Sequence, residues 1–201
     1  MAHQHPHRTG AGRYPNLAAL GHVVLAAGML CTGLTACSSP DRGHAADPTP
    51  SASRPSPTQS VTARAKAERE ALVAYRGMWN AFVHASRTSD VRDPLIARYT
   101  AGKARKTITD SLARDKAAMQ VSKGNVVLKP TVTGAKPAMT PAEVDVQDCA
   151  DASHWLVYHA EGGLIDDEPG GKHLVVAVVE NVPGLGWRVT DFAAHEVGSC
   201  T

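Results

Sequence analysis

The chain has 201 residues, with 21 Lys and Arg against 19 Asp and Glu and a formal net charge of +2. The whole excess lies in Arg8 and Arg13, because the first 36 residues carry no acid. A charge this balanced offers no basic footprint for nucleic acid.

The first 16 residues are polar, and residues 17–34 are mostly Ala, Leu, Val and Gly, broken by His22, Thr32 and Gly33. A membrane-spanning helix needs about 20 apolar residues. This run is shorter and ends in small residues, as a secretory signal does. It closes on Leu34-Thr35-Ala36-Cys37, which resembles a bacterial lipobox. The resemblance implies removal of residues 1–36, lipidation of Cys37 and tethering at the outer face of the cytoplasmic membrane. One acyl chain binds only marginally, at about 0.8 kcal/mol per buried methylene, whereas two chains anchor stably. His3, His5, His7 and His22 look like a metal-binding tract but belong to the segment to be removed.

Residues 37–61 follow as the lipidated cysteine and a linker. Pro40, Pro48, Pro50, Pro55 and Pro57 stand among Ser, Thr and Ala, with almost no large apolar side chain. Such a segment cannot offset the entropy of ordering, so it is expected to be disordered and semi-extended. Residues 62–201 are expected to form one domain of ordinary size.

That domain opens with helices. Residues 63–86 lack proline, and Leu72, Tyr75, Trp79, Phe82 and Val83 recur every three or four positions, the spacing of an amphipathic helix. Residues 90–94 break it. Pro94-Leu95-Ile96 starts a short helix. Thr100 is positioned to cap another, with Ala101, Ala104, Ile108, Leu112 and Met119 on one side and an end near Gly124.

The period then changes to that of strands. Residues 126–132 read as a strand interrupted by Pro130, hence an edge or a bulge. A second strand starts at Val144, Val146 and Asp148, and a third covers residues 154–160. Residues 173–180 form a fourth, whose continuous Leu-Val-Val-Ala-Val-Val predicts burial on both faces. Residues 187–194 form a fifth, and the glycine-rich stretch 161–172 is a long hairpin loop. Helices followed by an antiparallel sheet make an α+β order.

Three stretches of the helical half, Ala74-Tyr75 to Met78-Trp79, Asp93-Pro94-Leu95 and Tyr99-Thr100-Ala101-Gly102-Lys103-Ala104, resemble NTF2-like domains (the SnoaL and ketosteroid-isomerase group) of exported actinobacterial lipoproteins. Residues 146–151 and 186–191 are similar to the strand half of those domains. The resemblance implies a cone: a curved antiparallel sheet wrapped around the first helix, with a pocket at its open end. It carries no family-wide active site.

With Cys37 assigned to lipid, Cys149 and Cys200 are the pair left in an oxidising compartment, and a disulfide is expected. Asp148 and Asp151 beside Cys149 argue against a thiol of lowered pKa. The aromatics Tyr75, Trp79, Tyr99, Tyr158 and Trp187 are candidates to line a pocket, against the simpler reading as core. Asp93, Asp191, Tyr75, Tyr99 and His84 are the acid–base candidates, but no spacing ties them together, so no catalytic residue is assigned. His154 and His159 are five apart on a strand and face opposite sides, so no metal site is assigned. The acidic sets Asp145, Asp148, Asp151 and Asp166, Asp167, Glu168 lack the spacing of a calcium loop. No phosphate loop or nucleophile elbow occurs, and no cofactor is expected. The chain therefore reads as a lipid-anchored binding or accessory module. Its expected partners are the membrane and a small apolar ligand or an envelope protein, with a homodimer through the sheet as a further expectation. A docking subunit and an isomerase- or dehydratase-like enzyme are the alternatives.

Overall fold

The computed structural model describes residues 57–165 and 167–201, with the backbone alone at Pro57. The lipobox with Cys37, the histidine-rich leader and most of the linker lie outside the described residues. Arg54–Thr201 form one compact unit.

Helix α1 runs Pro57–Ser86, so it starts inside the stretch expected to be linker. Pro57 suits the first helical position because its missing N–H would have no partner there. The buried face of α1 is a seam of small residues, Ala67, Ala71, Ala74, Ala81 and Ala85, with Tyr75 and Met78 between them. Of the apolar set read from the sequence, Tyr75 sits at the centre of this face. Leu72, Trp79 and Phe82 pack along its margin. Alanines at spacings of four and three let the helix approach the sheet closely, and Tyr75 and Met78 fill the space between.

Helix α2 spans Pro94–Tyr99, capped by the Asp93 carboxylate, which accepts from Leu95 N at 2.8 Å. Helix α3 spans Gly102–Ala117 and buries Ala104, Ile108 and Leu112. Thr100 does not cap α3. It ends α2, its hydroxyl donates to Ile96 O at 2.6 Å, and Ala101 at the N-cap supplies no side-chain bond. Nor does α3 reach Gly124. Met119 adopts a left-handed φ of 53° and is 67% exposed, and the chain turns there into a strand.

The sheet has five antiparallel strands: β1 (Gln120–Val127), β2 (Thr131–Lys136), β3 (Glu143–His159), β4 (Lys172–Val182) and β5 (Gly186–Ala194). The order is β1-β3-β4-β5, with β2 also paired to β3. The second and third strands read from the sequence are one strand of 17 residues. Its first half pairs with β2 and its second half with β1. Pro130 falls between β1 and β2, where no ladder N–H is needed.

Register shifts in the β1–β3, β2–β3 and β4–β5 pairs add local twist, and the sheet curls strongly around the helices as a half-barrel. Gly124 sits at φ 128° where His154 O approaches closely enough that any Cβ would overlap it. The free edge of β5 meets the α2–α3 junction, where Ala101 N donates to Val189 O at 2.9 Å. On β4, His173, Val175, Ala177 and Val179 face the helices and are buried. Leu174 and Val178 on the other face are half-buried, and Val176 is 39% exposed. Burial of β4 on both faces is thus not observed, because the helices cover one side of the sheet.

The Tyr99 ring lies against Gly77 of α1, where an added Cβ would overlap three ring carbons. Alanine in place of helical glycine normally gains about 1 kcal/mol. Here we expect Gly77→Ala to lower thermal stability, and adding Tyr99→Ala to remove most of that penalty. Melting curves of the two single variants and the double variant measure the coupling.

Candidate functional site

The hollow of the sheet holds a buried polar group. Tyr75 and Trp79 lie one turn apart on α1, and Asp148 faces them from β3. Tyr75 is fully buried and Asp148 is 2% exposed. Asp148 Oδ1 accepts from Lys129 N at 2.8 Å, which ties the β1–β2 connection to β3. Trp79 and Asp148 both lie near Tyr75 Oη and act on its titration in opposite directions, Trp79 lowering it and Asp148 raising it. Yet Tyr75 Oη, Trp79 Nε1 and Asp148 Oδ2 close no hydrogen bond of good geometry.

Burial pushes the Tyr75 phenol far above its ordinary range, and the Asp148 charge adds to this. Burial also raises the Asp148 carboxyl, opposed by the N–H of Lys129 and by Tyr75. A carboxyl beside a phenol is a pair that acid–base chemistry uses, but here both are sealed from solvent.

An aromatic wall stands beside this group. Trp79 contacts Phe82 at 6.2 Å and Phe192 at 6.4 Å between ring centroids, and Phe82 contacts Trp155 at 5.4 Å. The other aromatics named from the sequence do not join it. Tyr99 covers Gly77 on a flank of α1. Tyr158 lies toward the end of β3, under Lys123 Nζ at 4.7 Å. Trp187 opens β5 and donates from Nε1 to Glu70 Oε2 at 3.1 Å. Phe192 was missed because the register shift in β5 reverses its alternation: Phe192 pairs with Ala177 on the inner face, and Asp191 turns outward. Asp148 carries no sequence signal beyond strand parity, which places it on the same face as Val144 and Val146.

The acid–base candidates are dispersed. Asp93 caps α2 and also binds the exposed His84 through Nδ1. Asp191 joins β5 to α3 through Lys103 Nζ at 3.1 Å. Among the described residues, no three His, Cys, Asp or Glu side chains are grouped to hold a metal ion. No described helix is long and apolar enough to cross a membrane.

Two surface concavities stand out, neither on the helix side. One, of about 490 Å³, lies at the rim between Lys136-Pro137, Glu143 and Asn181-Val182-Pro183. The other, about 270 Å³, lies on the outer face of the sheet among Thr133, Asp145, Val176, Val178, Asp191 and Ala193.

Cys149 of β3 and Cys200, 51 positions apart in the chain, form the expected disulfide, with Cα atoms 5.8 Å apart. It fastens a tail that runs beside the start of β4: Leu174 N donates to Ser199 Oγ at 2.8 Å, and Gly198 N to Lys172 O at 2.8 Å. Disulfides persist in oxidising compartments, so the bond points to an extracytoplasmic location.

Two outcomes follow from these contacts. Replacing both cysteines by serine is expected to lower unfolding stability by about 4 kcal/mol, the loop-closure value for a ring of this length, as read by urea denaturation. A carboxyl whose folded-state pKa is raised contributes stability at low pH that is lost as pH climbs through the raised value. Asp148→Asn should therefore gain stability relative to the wild type from about pH 4 upward, in paired melts across pH.

No family model matches the chain, and no curated protein matches it. Among solved structures it is similar to the intermembrane space region of the chloroplast protein ARC6, with a TM-score of 0.47 and 17% identity, over 64% of this chain and 96% of that one. The α+β architecture, with its curled sheet around a long first helix, is compatible with the NTF2-like fold that the sequence resembles.

Proposed function

We propose that this chain is a lipid-anchored, extracytoplasmic accessory module without catalytic activity, which docks an envelope protein on the outer face of its sheet. One observation carries the reading. The central strand β4 presents Leu174, Val176 and Val178 on the outer face, and Val176 is 39% exposed beside a shallow apolar groove. A solvent-facing strand normally alternates apolar with polar residues, so valine at consecutive outward positions fits a surface that a partner covers. The hollow, where a small apolar ligand would sit in an NTF2-like cone, is occupied by Tyr75 and Met78 of α1. That arrangement favours docking over ligand capture. The lipobox supplies the anchor in this reading, and the disulfide agrees with the compartment.

A second reading, an enzyme of the isomerase or dehydratase kind, is favoured by the buried Tyr75–Asp148 pair. It requires a path for substrate to that pair, and both groups are sealed.

A photo-cross-linking amino acid at position 176 or 193, introduced in cells, tests the docking surface. The expected result is a discrete adduct with one envelope protein, weakened by Val178→Asp. An adduct with a second copy makes the surface a dimer interface. Absence of any adduct at both positions, with the protein present and folded, removes the reading.

A further inference from the structure

The balanced overall charge conceals a division. Residues 57–117, the helical layer, hold twelve Lys and Arg against six Asp and Glu, whereas residues 118–201 hold five against eleven. On α1 three of the four basic residues, all but Arg64, fall along a line. Lys66, Arg69, Val73, Arg76 and Asn80 recur every three or four positions, all exposed, and Arg87 continues the line one residue past the helix end. This line lies opposite the alanine seam of Ala67, Ala71, Ala74, Ala81 and Ala85. One acid, Glu70, stands at its margin. Lys66 has Glu70 at 3.8 Å, but Arg69, Arg76 and Arg87 make no salt bridge among the described residues. The flank is also basic, since Arg98 stands 5.6 Å over the Tyr99 ring, and that ring lies against Gly77.

We infer that the exposed face of α1 lies along an anionic phospholipid surface, with the guanidinium groups of Arg69, Arg76, Arg87 and Arg98 at the phosphates. The stripe from Lys66 to Arg87 is about 30 Å long at 1.5 Å per residue, enough to meet several headgroups at once. Each basic side chain near such a surface strengthens binding about fivefold, and salt screens it within about 10 Å. A membrane fits better than nucleic acid for two reasons on this molecule. Val73 stands in the middle of the stripe at 64% exposure, with no aromatic on the stripe to stack a base. The sheet layer carries the compensating acids, which an anionic surface repels, so one orientation is favoured and the outer sheet face is turned away from the lipid. The inference also deepens the reading of a tethered module. Nineteen residues, 38–56, span at most about 65 Å even at full extension, which keeps the domain near any bilayer that holds Cys37.

The test uses residues 38–201, without leader or lipid, so that it does not depend on acylation of Cys37. Its folding is checked by circular dichroism. Sedimentation is measured with vesicles of mixed phosphatidylglycerol and phosphatidylcholine and with phosphatidylcholine alone. The expected result is binding to the phosphatidylglycerol vesicles only, lost at high salt. Arg69→Gln with Arg76→Gln is expected to weaken it about tenfold or more. Lys172→Gln, an exposed charge on the sheet, should leave it unchanged. Equal binding to both vesicle types, no binding by the folded protein, or an unchanged affinity of the double variant would overturn the inference. Tighter binding to duplex DNA or RNA than to the anionic vesicles would overturn it as well. Failure here leaves the cross-linking result at positions 176 and 193 intact, and failure there leaves this one intact.

Discussion

The domain depends on seating one long helix in the hollow of a curled sheet. A helix of 30 residues can lie there only if the side chains at the contact are small, and α1 meets this with alanine at five of its buried positions. The close approach has two consequences. It leaves room for only a few large groups, chiefly Tyr75 and Met78, so the hollow is filled by the protein itself. It also drives everything that cannot pack to the far side of the same helix, where the arginines collect.

The sheet is shaped to receive that helix. A single strand, β3, serves as the spine for β1, β2 and β4, and register shifts in three of the strand pairs bend the layer around α1. The bends matter chemically. In β5 the shift sends Phe192 inward against Trp79 and leaves Asp191 outside with Lys103. Asp148 enters the core beside Tyr75 because strand parity aims it there, and it holds the Lys129 N–H in return. Burial raises the pKa of this carboxyl, and its hydrogen bond makes it an internal strut between β3 and the β1–β2 connection. The pair resembles catalytic apparatus in composition, but it is enclosed by the same packing that holds the helix.

Charge is distributed by the same architecture. The helical layer is basic and the sheet layer acidic, and the near-zero sum that argues against nucleic acid hides a polar molecule. The arginines on the exposed face of α1 and the exposed Val176 of β4 therefore lie on opposite sides of the domain.

Some of this was legible in the sequence. Helical and strand periods, the proline and glycine breaks and the cysteine count led to an α+β order with a Cys149–Cys200 bond, because these depend on local spacing and on simple counting. Pro94 and Asp93 announced α2 by cap chemistry that acts over two residues. What required the tertiary structure was everything set by contacts between distant segments. Residues 149–153 are weak strand formers and read as a break, yet pairing with β1 and β4 carries β3 straight through them. The run Ala117-Ala118-Met119 favours helix, yet the chain leaves it to reach its partner strand. The aromatics of α1 looked like its core, and only the curvature of the sheet decided that the alanines would face it. Local pattern determines which element forms; which of its faces is buried depends on the shape of the surface it meets.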